Sequence, residues 1–304
     1  MARPSANGLA AFAGWSEDDH AAALAAYLLT ADRLGPEWPL PSAEPASARD
    51  FFEGRFEALG PARAALLTGY YEPELAGSRR RHAEFRHPLY APPAALEGAM
   101  PWSPRSEIEE HGLLDGLELV WLASPLEAFL AQVQGSVRVR LAEGGTLRLG
   151  YAAKNGHPYR SIGAELVRRG AVPAESISAA AIRAWAAAHP DEVPALLRHN
   201  PSFVFFRTLD LAEGLGPPGA LGRSLTALRS LAVDPAHIAL GSPVWVVWSG
   251  GARLMIAQDI GGAITGPDRA DLFFGTGAAA GESAGSLHET GRILPLGPRA
   301  GRFG

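Results

Sequence analysis

Two stretches near the start of the chain carry apolar residues at helical spacing. The first covers 21–34 and follows Ser16 and three acidic residues, and the second covers 48–59 and follows Ser47. A hydroxyl residue can cap the free N–H groups of a helix start, and acids there complement the positive end of the helix dipole. We therefore predict helices over 21–34 and 48–59.

Most other patterned segments are short apolar or alternating runs, which are typical of strands. The predicted strands cover 64–74, 117–123, 137–141, 147–149, 203–206, 243–248, 254–258, 272–274 and 293–296. Between 137 and 149, valine and leucine alternate with arginine on both sides of the turn 142–145. That alternation predicts a hairpin with one buried face.

Helical spacing returns in the middle of the chain. The helices predicted there cover 125–132, 159–169, 178–189 and 191–199. Turn-forming residues concentrate near Gly77 and near Pro201, as expected at domain boundaries. We therefore predict a mainly β fold with flanking helices (α+β), in which a domain of 1–77 and 200–304 is interrupted by an inserted β-rich domain of 78–199. Short, unevenly spaced strands with many glycines favour a small β-barrel over a doubly wound sheet.

Composition narrows the function classes. Of 304 residues, 47% are hydrophobic and 19% are charged, the formal net charge is -5, and there is no cysteine. The hydrophobic content excludes a disordered chain, no apolar run is long enough to span a membrane, and the lack of basic blocks argues against a nucleic-acid partner. Without cysteine the chain has no disulfide, thiol nucleophile or cysteine-ligated metal. The histidines show no paired spacing, so we expect neither a metal site nor a cofactor.

The segment 281–285 matches the G-x-S-x-G pattern of serine esterases. That motif requires a buried strand before the serine, a helix after it, and an acid and a histidine further along the chain. Here alanine and glycine precede the segment, and His288 is the only later histidine. The glycines of 259–262 and 275–281 also lack the lysine and hydroxyl residue of a phosphate-binding loop. We therefore expect neither an esterase nor a nucleotide-binding site.

Two aspartates stand twelve residues apart in the last part of the chain. Asp259 ends an apolar strand, and Asp271 is surrounded by aromatic and aliphatic residues. Burial raises the pKa of a carboxyl group, and a protonated carboxyl is the general acid that cleavage of a glycosidic bond needs. The alternative is structural: Asp259 accepts N–H groups of the glycine turn, and Asp271 caps the next element.

Two clusters of polar and aromatic residues favour the catalytic interpretation. Residues 68–73 place a hydroxyl and two tyrosines at a strand end, and 151–161 place the single lysine of the chain, Lys154, among Asn, Tyr and Arg. Aromatic rings beside polar donors suit a groove that binds a sugar chain. Core packing would account for the tyrosines but not for their polar neighbours.

Five blocks of sequence carry a family resemblance. They are Thr-Gly-Tyr-Tyr-Glu-Pro (68–73), Val-Gln-Gly-Ser (133–136), Tyr-Ala-Ala-Lys-Asn-Gly-His-Pro-Tyr-Arg-Ser-Ile-Gly (151–163), Asn-Pro-Ser-Phe-Val-Phe-Phe (200–206) and Gln-Asp-Ile-Gly-Gly-Ala-Ile-x-Gly (258–266). In this order they resemble the MltA family of membrane-bound lytic murein transglycosylases. The resemblance implies a double-psi β-barrel domain interrupted by a smaller β-rich domain, with a peptidoglycan strand bound in the groove between them.

The resemblance also implies a reaction. The family cleaves the β-1,4 bond between N-acetylmuramic acid and N-acetylglucosamine without water, because the muramyl C6 hydroxyl attacks C1 and leaves a 1,6-anhydro product. On matching positions, Asp271 is the single catalytic acid and base, and Asp259 is a supporting carboxylate. The implied substrate-binding residues are Thr68, Gly69, Tyr70, Tyr71, Gln134, Gly135, Tyr151, Lys154, Asn155, Gly156, Tyr159, Arg160, Ser161, Ser202, Gly261 and Gly262.

The implied partner is the glycan strand of peptidoglycan, with complexes of other cell-wall enzymes as a further expectation. That substrate implies a periplasmic or cell-envelope location. Lipoprotein members carry an N-terminal signal and a lipid-bearing cysteine, and the first residues of this chain show neither. This argues against membrane anchoring and leaves a trimmed export signal open.

Two alternatives remain open at this point. One is a conventional glycoside hydrolase in which Asp259 and Asp271 act as a pair. The other is a non-catalytic polysaccharide-binding module that keeps the aromatic groove. The products distinguish them, because hydrolysis leaves a reducing end, transglycosylation leaves none, and a binding module releases no fragments.

Overall fold

A computed structural model describes residues 8–41, 47–98 and 100–299. Its contacts divide the chain into two units. The first comprises Met1–Tyr71, Gly214–Gly275 and Glu282–Gly304, and the second comprises Glu72–Glu213 and Thr276–Gly281. The domain boundaries expected from the sequence, after 77 and after 199, do not coincide with these unit boundaries, and that division stays a prediction.

The described residues form helices and strands in both units. The α-helices are α1 (His20–Thr30), α2 (Ala48–Arg55), α3 (Arg105–Glu110), α4 (Pro125–Gln134), α5 (Ile162–Arg168), α6 (Ala179–Ala188), α7 (Val193–Leu197) and α8 (Ala278–Ser286). The strands are β1 (Phe56–Ala58), β2 (Arg63–Glu72), β3 (Glu74–Ser78), β4 (His87–Tyr90), β5 (Glu118–Leu122), β6 (Ser136–Leu141), β7 (Thr146–Lys154), β8 (Val204–Thr208), β9 (Ser230–Val233), β10 (Pro243–Trp248), β11 (Gly251–Asp259), β12 (Arg269–Thr276) and β13 (His288–Pro298). The predicted combination of sheets and helices (α+β) is confirmed, whereas the expected predominance of strands is not, since about 29% of the residues are in helices and 31% in strands.

Side-chain caps determine where several helices begin. Asp19 accepts a hydrogen bond from a first-turn N–H of α1, and Ser47 does the same for α2. The predicted cap at Ser16 is wrong, because Asp19 stands next to the helix and supplies the acceptor. The residues that cap α4, α5 and α6 in the same way are Ser124, Ser161 and Ser178.

The helix predicted over 48–59 is too long. α2 ends at Arg55, and the residues that follow form β1, in which Phe56 pairs with Pro298 of β13. The side chain of Phe56 is fully buried in the core, and its backbone pairs with β13. Tertiary pairing therefore ends the helix earlier than its apolar spacing predicts.

Strands of the first unit close into a ring. Among the described residues the sheet runs β1-β13-β10-β11-β9-β12-β2, and β13 also pairs with β2, so that six of the seven strands join back on themselves. β9 and β11 are parallel, whereas β9 and β12 are antiparallel, as are β13 and β2. Closure leaves the six ring strands with neighbours on both sides.

Alternation along the strands separates two cores in the first unit. On β10, Val244 and Val246 pack with Leu231 of β9 and Leu272 of β12 inside the ring. Trp245, between the two valines, packs instead with the side chains of α1 and α2. Since successive side chains of a strand point to opposite faces, the helices cover the outer face of this part of the ring.

The second unit has its own sheet and its own core. The order of its described strands is β4-β5-β3-β6-β7-β8, with β3 and β6 parallel. The predicted hairpin is confirmed, since β6 and β7 pair antiparallel with Val137 opposite Leu149. The prediction of a single buried face is wrong at Arg148, because this residue of the arginine face is buried as well.

The helices predicted in the middle of the chain are also confirmed as α4 to α7: α4 extends two residues beyond its predicted end, and the other three are shorter than predicted. Their apolar faces pack on one another around Leu166 and Leu196.

Candidate active site

The two aspartates flank one strand of the ring. Asp259, the last residue of β11, pairs with Ala232 of β9, and Asp271 of β12 pairs with the same Ala232 from the other side. Neighbouring strands lie about 4.8 Å apart, so the two backbones are about 10 Å apart at this level. Asp259 and Asp271 therefore stand side by side across β9.

A β-bulge turns Asp259 toward the outer face of the ring. Ala257 packs inside the ring, and strict alternation would point Asp259 in the same direction. The pairing of β11 with β9 shifts by one residue between Ala257 and Asp259. Bulges re-aim side chains in this way and are frequent next to active sites. The bulge therefore gives Asp259 access to β2, where its hydrogen-bond donor lies.

Asp271 is held by a hydroxyl group. Thr68 Oγ1 of β2 donates a hydrogen bond of 2.7 Å to Asp271 Oδ1. Burial raises the pKa of Asp271 to about 6, against the opposing effects of the Thr68 hydrogen bond and the positive charge of Arg269. A carboxyl with this pKa is partly protonated near neutral pH and can both give and accept a proton.

Asp259 is held on both of its oxygens. Tyr70 Oη donates to Oδ2 at 2.9 Å, and the backbone N–H of Ala220 donates to Oδ1 at 3.1 Å. Burial raises the pKa of Asp259 to about 6, and the negative charge of Asp271 adds to the rise, while hydrogen bonds from Ile260 N–H, Tyr70 and Ala220 oppose it. Ala220 belongs to a loop other than the glycine turn that the structural alternative names, so the role of Asp259 stays a prediction.

Thr68 and Tyr70 lie two residues apart on β2, so their side chains share a face. The Tyr70 ring packs on Phe273 of β12, with the ring centroids 5.2 Å apart. Burial raises the pKa of Tyr70 well above its ordinary value, and the charges of Asp259 and Asp271 raise it further. Tyr70 therefore stays protonated and acts as a fixed hydrogen-bond donor.

Gly69, between these two donors, has no room for a side chain. A Cβ at this position would lie 2.7 Å from the Cα of Ala284 in α8 and 2.7 Å from the Phe274 ring. A glycine lets α8 and β2 approach each other closely. Gly69 thus serves packing behind the carboxylates, while a contact of its backbone with substrate stays a prediction.

The structure brings four of the predicted site residues into two neighbouring hydrogen-bonded pairs, Thr68 with Asp271 and Tyr70 with Asp259. Gly261 and Gly262 lie in the turn that follows β11, and Tyr71 lies near the end of β2. The predicted residues that belong to the second unit are Gln134, Gly135, Tyr151, Lys154, Asn155, Gly156, Tyr159, Arg160, Ser161 and Ser202.

Within the second unit these residues differ in what they offer a ligand. Tyr151 and Tyr159 are 49% and 38% exposed, so part of each ring is open to solvent. Asn155 is completely buried, and its amide nitrogen donates to the carbonyl oxygens of Ser103 and Pro201. The Asn155 side chain therefore holds the surrounding turns together, and its predicted contact with sugar stays a prediction.

Two groups at the site were not among the predicted residues. The N–H of Ala220 lies in a loop with no sequence pattern that points to it. Arg269 is different, because it stands two residues before Asp271 on the same strand, and this spacing places both on one face. The spacing was a usable signal for Arg269.

Other kinds of site find no support in the described part of the chain. Ser283, the serine of the G-x-S-x-G match, lies inside α8, and a strand follows this helix, which is the reverse of the order that an esterase needs. No group of three or more His, Asp or Glu in residues 8–41, 47–98 and 100–299 is arranged to hold a metal ion. Over the same residues, none of the helices has the length and apolar character that a membrane crossing requires.

Comparison with known families gives two matches in the chain. A model described as the MltA specific insert domain matches residues 66–207, and a model described as the 3D domain matches residues 229–297. The first match covers Thr68, Tyr70 and most of the second unit, and the second match covers Asp259 and Asp271.

Individual relatives agree with the family models. Membrane-bound lytic murein transglycosylase A of Escherichia coli is 37% identical over 247 residues, which are 77% of this chain and 67% of that protein. The crystal structure of a membrane-bound lytic murein transglycosylase from Agrobacterium tumefaciens is 31% identical with a TM-score of 0.80, over 96% of each chain. The structure of Escherichia coli MltA with bound chitohexaose is 33% identical with a TM-score of 0.73, over 83% of this chain and 78% of that chain.

Proposed function

Since the chain belongs to the MltA family of lytic murein transglycosylases, we propose that it cleaves the glycan strands of peptidoglycan with Asp271 as the catalytic carboxyl. The bond cleaved is the β-1,4 bond between N-acetylmuramic acid and N-acetylglucosamine, and the muramyl product carries a 1,6-anhydro ring. One observation carries this proposal: burial raises the pKa of Asp271 to about 6 while Thr68 fixes one of its oxygens.

In the first step, protonated Asp271 donates its proton to the glycosidic oxygen. The bond between C1 and that oxygen breaks, the electron pair stays on the oxygen, and the N-acetylglucosamine chain leaves as an alcohol. Asp271 becomes a carboxylate whose Oδ1 still accepts the Thr68 hydrogen bond. General acid catalysis of this kind is efficient when the pKa of the acid is close to the working pH.

In the second step, the Asp271 carboxylate accepts the proton of the muramyl C6 hydroxyl. The C6 oxygen forms a bond to C1 and closes the anhydro ring, and Asp271 is protonated again. The nucleophile is part of the substrate and is already close to C1, which lowers the entropic cost of the attack. No water is consumed, so the reaction needs no second carboxylate as a base.

Asp259 supports this site without exchanging a proton with the substrate. Tyr70 and the Ala220 N–H hold both of its oxygens, which leaves it less free than Asp271 to meet a sugar. Since the charge of Asp271 raises the pKa of Asp259, the two carboxyls disfavour being ionised together.

We assign glycan contacts to the residues of the matching motifs. The exposed rings of Tyr151 and Tyr159 can stack on sugar faces, and Lys154 and Arg160 are exposed donors for hydroxyl and carbonyl groups. The chitohexaose bound to Escherichia coli MltA supports recognition of a glycan chain in this family. The proposed substrate lies in the cell envelope, and we infer that the protein acts there.

We also infer that the closed ring of the first unit is a double-psi β-barrel. Closure of six strands and the parallel pair β9 and β11 support this assignment. The catalytic Asp271 then lies on a strand of the barrel, and β2 supplies its hydrogen-bond partner.

Product analysis tests the proposal. The protein is incubated with isolated murein sacculi, and the soluble fragments are identified by mass spectrometry. We expect anhydromuropeptides, lighter by one water than hydrolysed muropeptides, and their loss in Asp271→Asn. Asp268→Asn is the matched control, because Asp268 is an exposed aspartate that pairs with Arg63, and it should keep the activity. An Asp271→Asn protein with ordinary activity would refute the assignment.

A second candidate is a hydrolase in which both carboxyls react. It is favoured by one observation, namely that burial raises the pKa of Asp259 as well as that of Asp271 to about 6. Reducing muropeptides as the main product, together with equal loss of activity in Asp259→Asn and Asp271→Asn, would favour the hydrolase. Binding to sacculi without release of fragments would instead favour a non-catalytic module.

A further inference from the structure

Arg269 and Asp271 share one face of β12. Arg269 is the first residue of the strand, and Ala270 between them packs inside the ring together with Leu272. Successive side chains alternate, so Arg269 and Asp271 both point away from that interior. The positive charge of Arg269 acts on the Asp271 carboxyl and lowers its pKa against the effect of burial.

Arg269 has an unused hydrogen-bond donor. Its Nη1 is buried and has no hydrogen-bond partner among the described residues. The neighbouring acid, Asp268, pairs with Arg63 and not with Arg269, since Asp268 Oδ1 lies 3.2 Å from Arg63 Nε. A buried donor without an acceptor is unfavourable and rare, so its presence next to a reactive carboxyl calls for an explanation.

The hydrogen-bonding character of Asp271 Oδ2 changes during the proposed reaction. Its Oδ1 accepts the hydrogen bond of Thr68, and no described residue donates to Oδ2. While Asp271 is protonated, Oδ2 is the oxygen free to carry the proton. Once that proton has moved to the glycosidic oxygen, Oδ2 becomes an anionic acceptor that needs a donor.

We propose that Arg269 is a positioning residue for the reaction: its unused N–H and its charge stabilise the carboxylate that Asp271 becomes after it has given up its proton. The inference rests on the proposed function of Asp271 as the acid. It explains why a donor is left unpaired in the resting protein, since its acceptor appears only with proton transfer. It also explains how a carboxyl buried enough to be protonated can still release its proton.

The groups that face Asp271 limit what a pH measurement can show. β2 presents Thr68 and Tyr70, and Tyr70 stays protonated because its pKa is raised well above its ordinary value. β9 presents Ala232, which carries no charge. β11 presents Asp259, whose pKa of about 6 makes it titrate in the same range as Asp271. The measurement must therefore separate the two aspartates.

Carbon-13 NMR of aspartate carboxyls makes that separation, and it does not depend on activity. Protein labelled at the aspartate side-chain carboxyl is titrated, and Asp259→Asn and Asp271→Asn assign the two signals. In Arg269→Gln we expect a higher pKa of Asp271 than in the unchanged protein, whereas Arg269→Lys, which keeps the charge, should stay close to it. Arg253→Gln removes the same charge from β11 and should leave the pKa of Asp271 unchanged.

Kinetics on sacculi tests the effect on the reaction. Arg269→Gln should lower kcat about tenfold or more with little change in KM, because the lost interaction forms only along the reaction path. In the pH profile of kcat, the decline at high pH should also occur at a higher pH for Arg269→Gln. Arg269→Lys should recover part of the rate. If Arg269→Gln does not fold, Arg269→Met keeps the aliphatic stem and carries the same expectations.

Three results would overturn the proposal for Arg269: an unchanged pKa of Asp271 in Arg269→Gln, an unchanged kcat in that variant, or an equal loss of kcat in Arg269→Lys and Arg269→Gln. Failure of the proposed function is a separate result. In that case Asp271→Asn keeps its activity, while the NMR titration still reports whether Arg269 controls the carboxyl.

Discussion

Asp259 and Asp271 stand opposite the same residue, Ala232, from the two strands that flank β9. This register places two partly buried carboxyls on the strands either side of β9, and β2 supplies a separate hydroxyl donor to each. Burial raises both pKa values to about 6. Ionisation of the two carboxyls at neutral pH therefore lowers the free energy of unfolding, and the rest of the fold must offset this loss.

Asp271→Asn should stabilise the protein near neutral pH. The native carboxyl has a pKa of about 6, against 3.8 as its ordinary value, so the native state binds more protons than the unfolded state between these values. Stability from this group is therefore lost as pH rises through that interval, at most about 3 kcal/mol for two pKa units. Melting of Asp271→Asn and unchanged protein should show a gain above about pH 7 and little difference below about pH 4. A gain of the same size at both pH values would contradict this explanation.

Thr68→Val should raise the pKa of Asp271 further. The substitution keeps the shape of the side chain but removes the donor to Asp271 Oδ1, and that hydrogen bond lowers the pKa. Activity should extend to higher pH, while stability above about pH 7 should fall by about 1–3 kcal/mol through loss of a hydrogen bond to a charged group. Thr68→Ser keeps the hydroxyl and serves as control in pH profiles and carboxyl NMR. Identical profiles for the two variants would show that the hydroxyl has no such role.

Gly69→Ala should destabilise the first unit, by about 1–3 kcal/mol. The added Cβ would lie 2.7 Å from the Cα of Ala284, which is backbone and cannot move aside without shifting α8. Gly262→Ala is the matched control, since a Cβ there meets nothing within 4 Å. Urea unfolding of both variants measures the difference. Equal stability of the two would mean that α8 adapts to the extra methyl group.

Local signals in the sequence predicted the local structure well. The hairpin of β6 and β7 follows from alternation next to a turn, and α4 begins where Ser124 and Pro125 predict a helix start. The same signals missed β9, because it has only four residues and all of them are buried, so it shows no alternation. Yet β9 is the strand that both aspartates flank.

The hydrogen-bond partners of Asp259 and Asp271 could not be predicted from local sequence patterns. Thr68 and Tyr70 could be assigned to one face of a strand, but each bonds to an aspartate about 200 positions later, and ring closure decides which one. The side of the sheet on which Asp259 lies depends on a bulge. The apolar residues before Asp259 carry no sequence signal that predicts this bulge. Burial of Asp271 among apolar neighbours was predictable, and with it the direction of its pKa shift.

The final prediction concerns Glu72, a fully buried carboxylate of the second unit. Arg138 Nε donates to Oε2 at 2.6 Å, Arg148 Nη2 donates to Oε1 at 3.2 Å, and Thr276 Oγ1 donates to Oε2 at 2.8 Å. The two guanidinium groups also donate onward to backbone carbonyls, so each is held in place from both sides. One carboxylate thus pairs with two arginines that are themselves largely buried.

Glu72→Gln keeps the size of the side chain but removes the anion that pairs with two largely buried guanidinium groups, which should cost about 3–5 kcal/mol. Glu74→Gln is the matched control, because Glu74 pairs with Arg140 where both side chains are well exposed, and such pairs contribute less than about 1 kcal/mol. Chemical unfolding followed by a probe in the second unit measures both changes. Since the cost comes from the lost carboxylate charge, Glu72→Gln combined with replacement of Arg138 and Arg148 by Met should recover part of the loss. No recovery in the triple variant would show that packing of Glu72, and not its charge, stabilises the second unit.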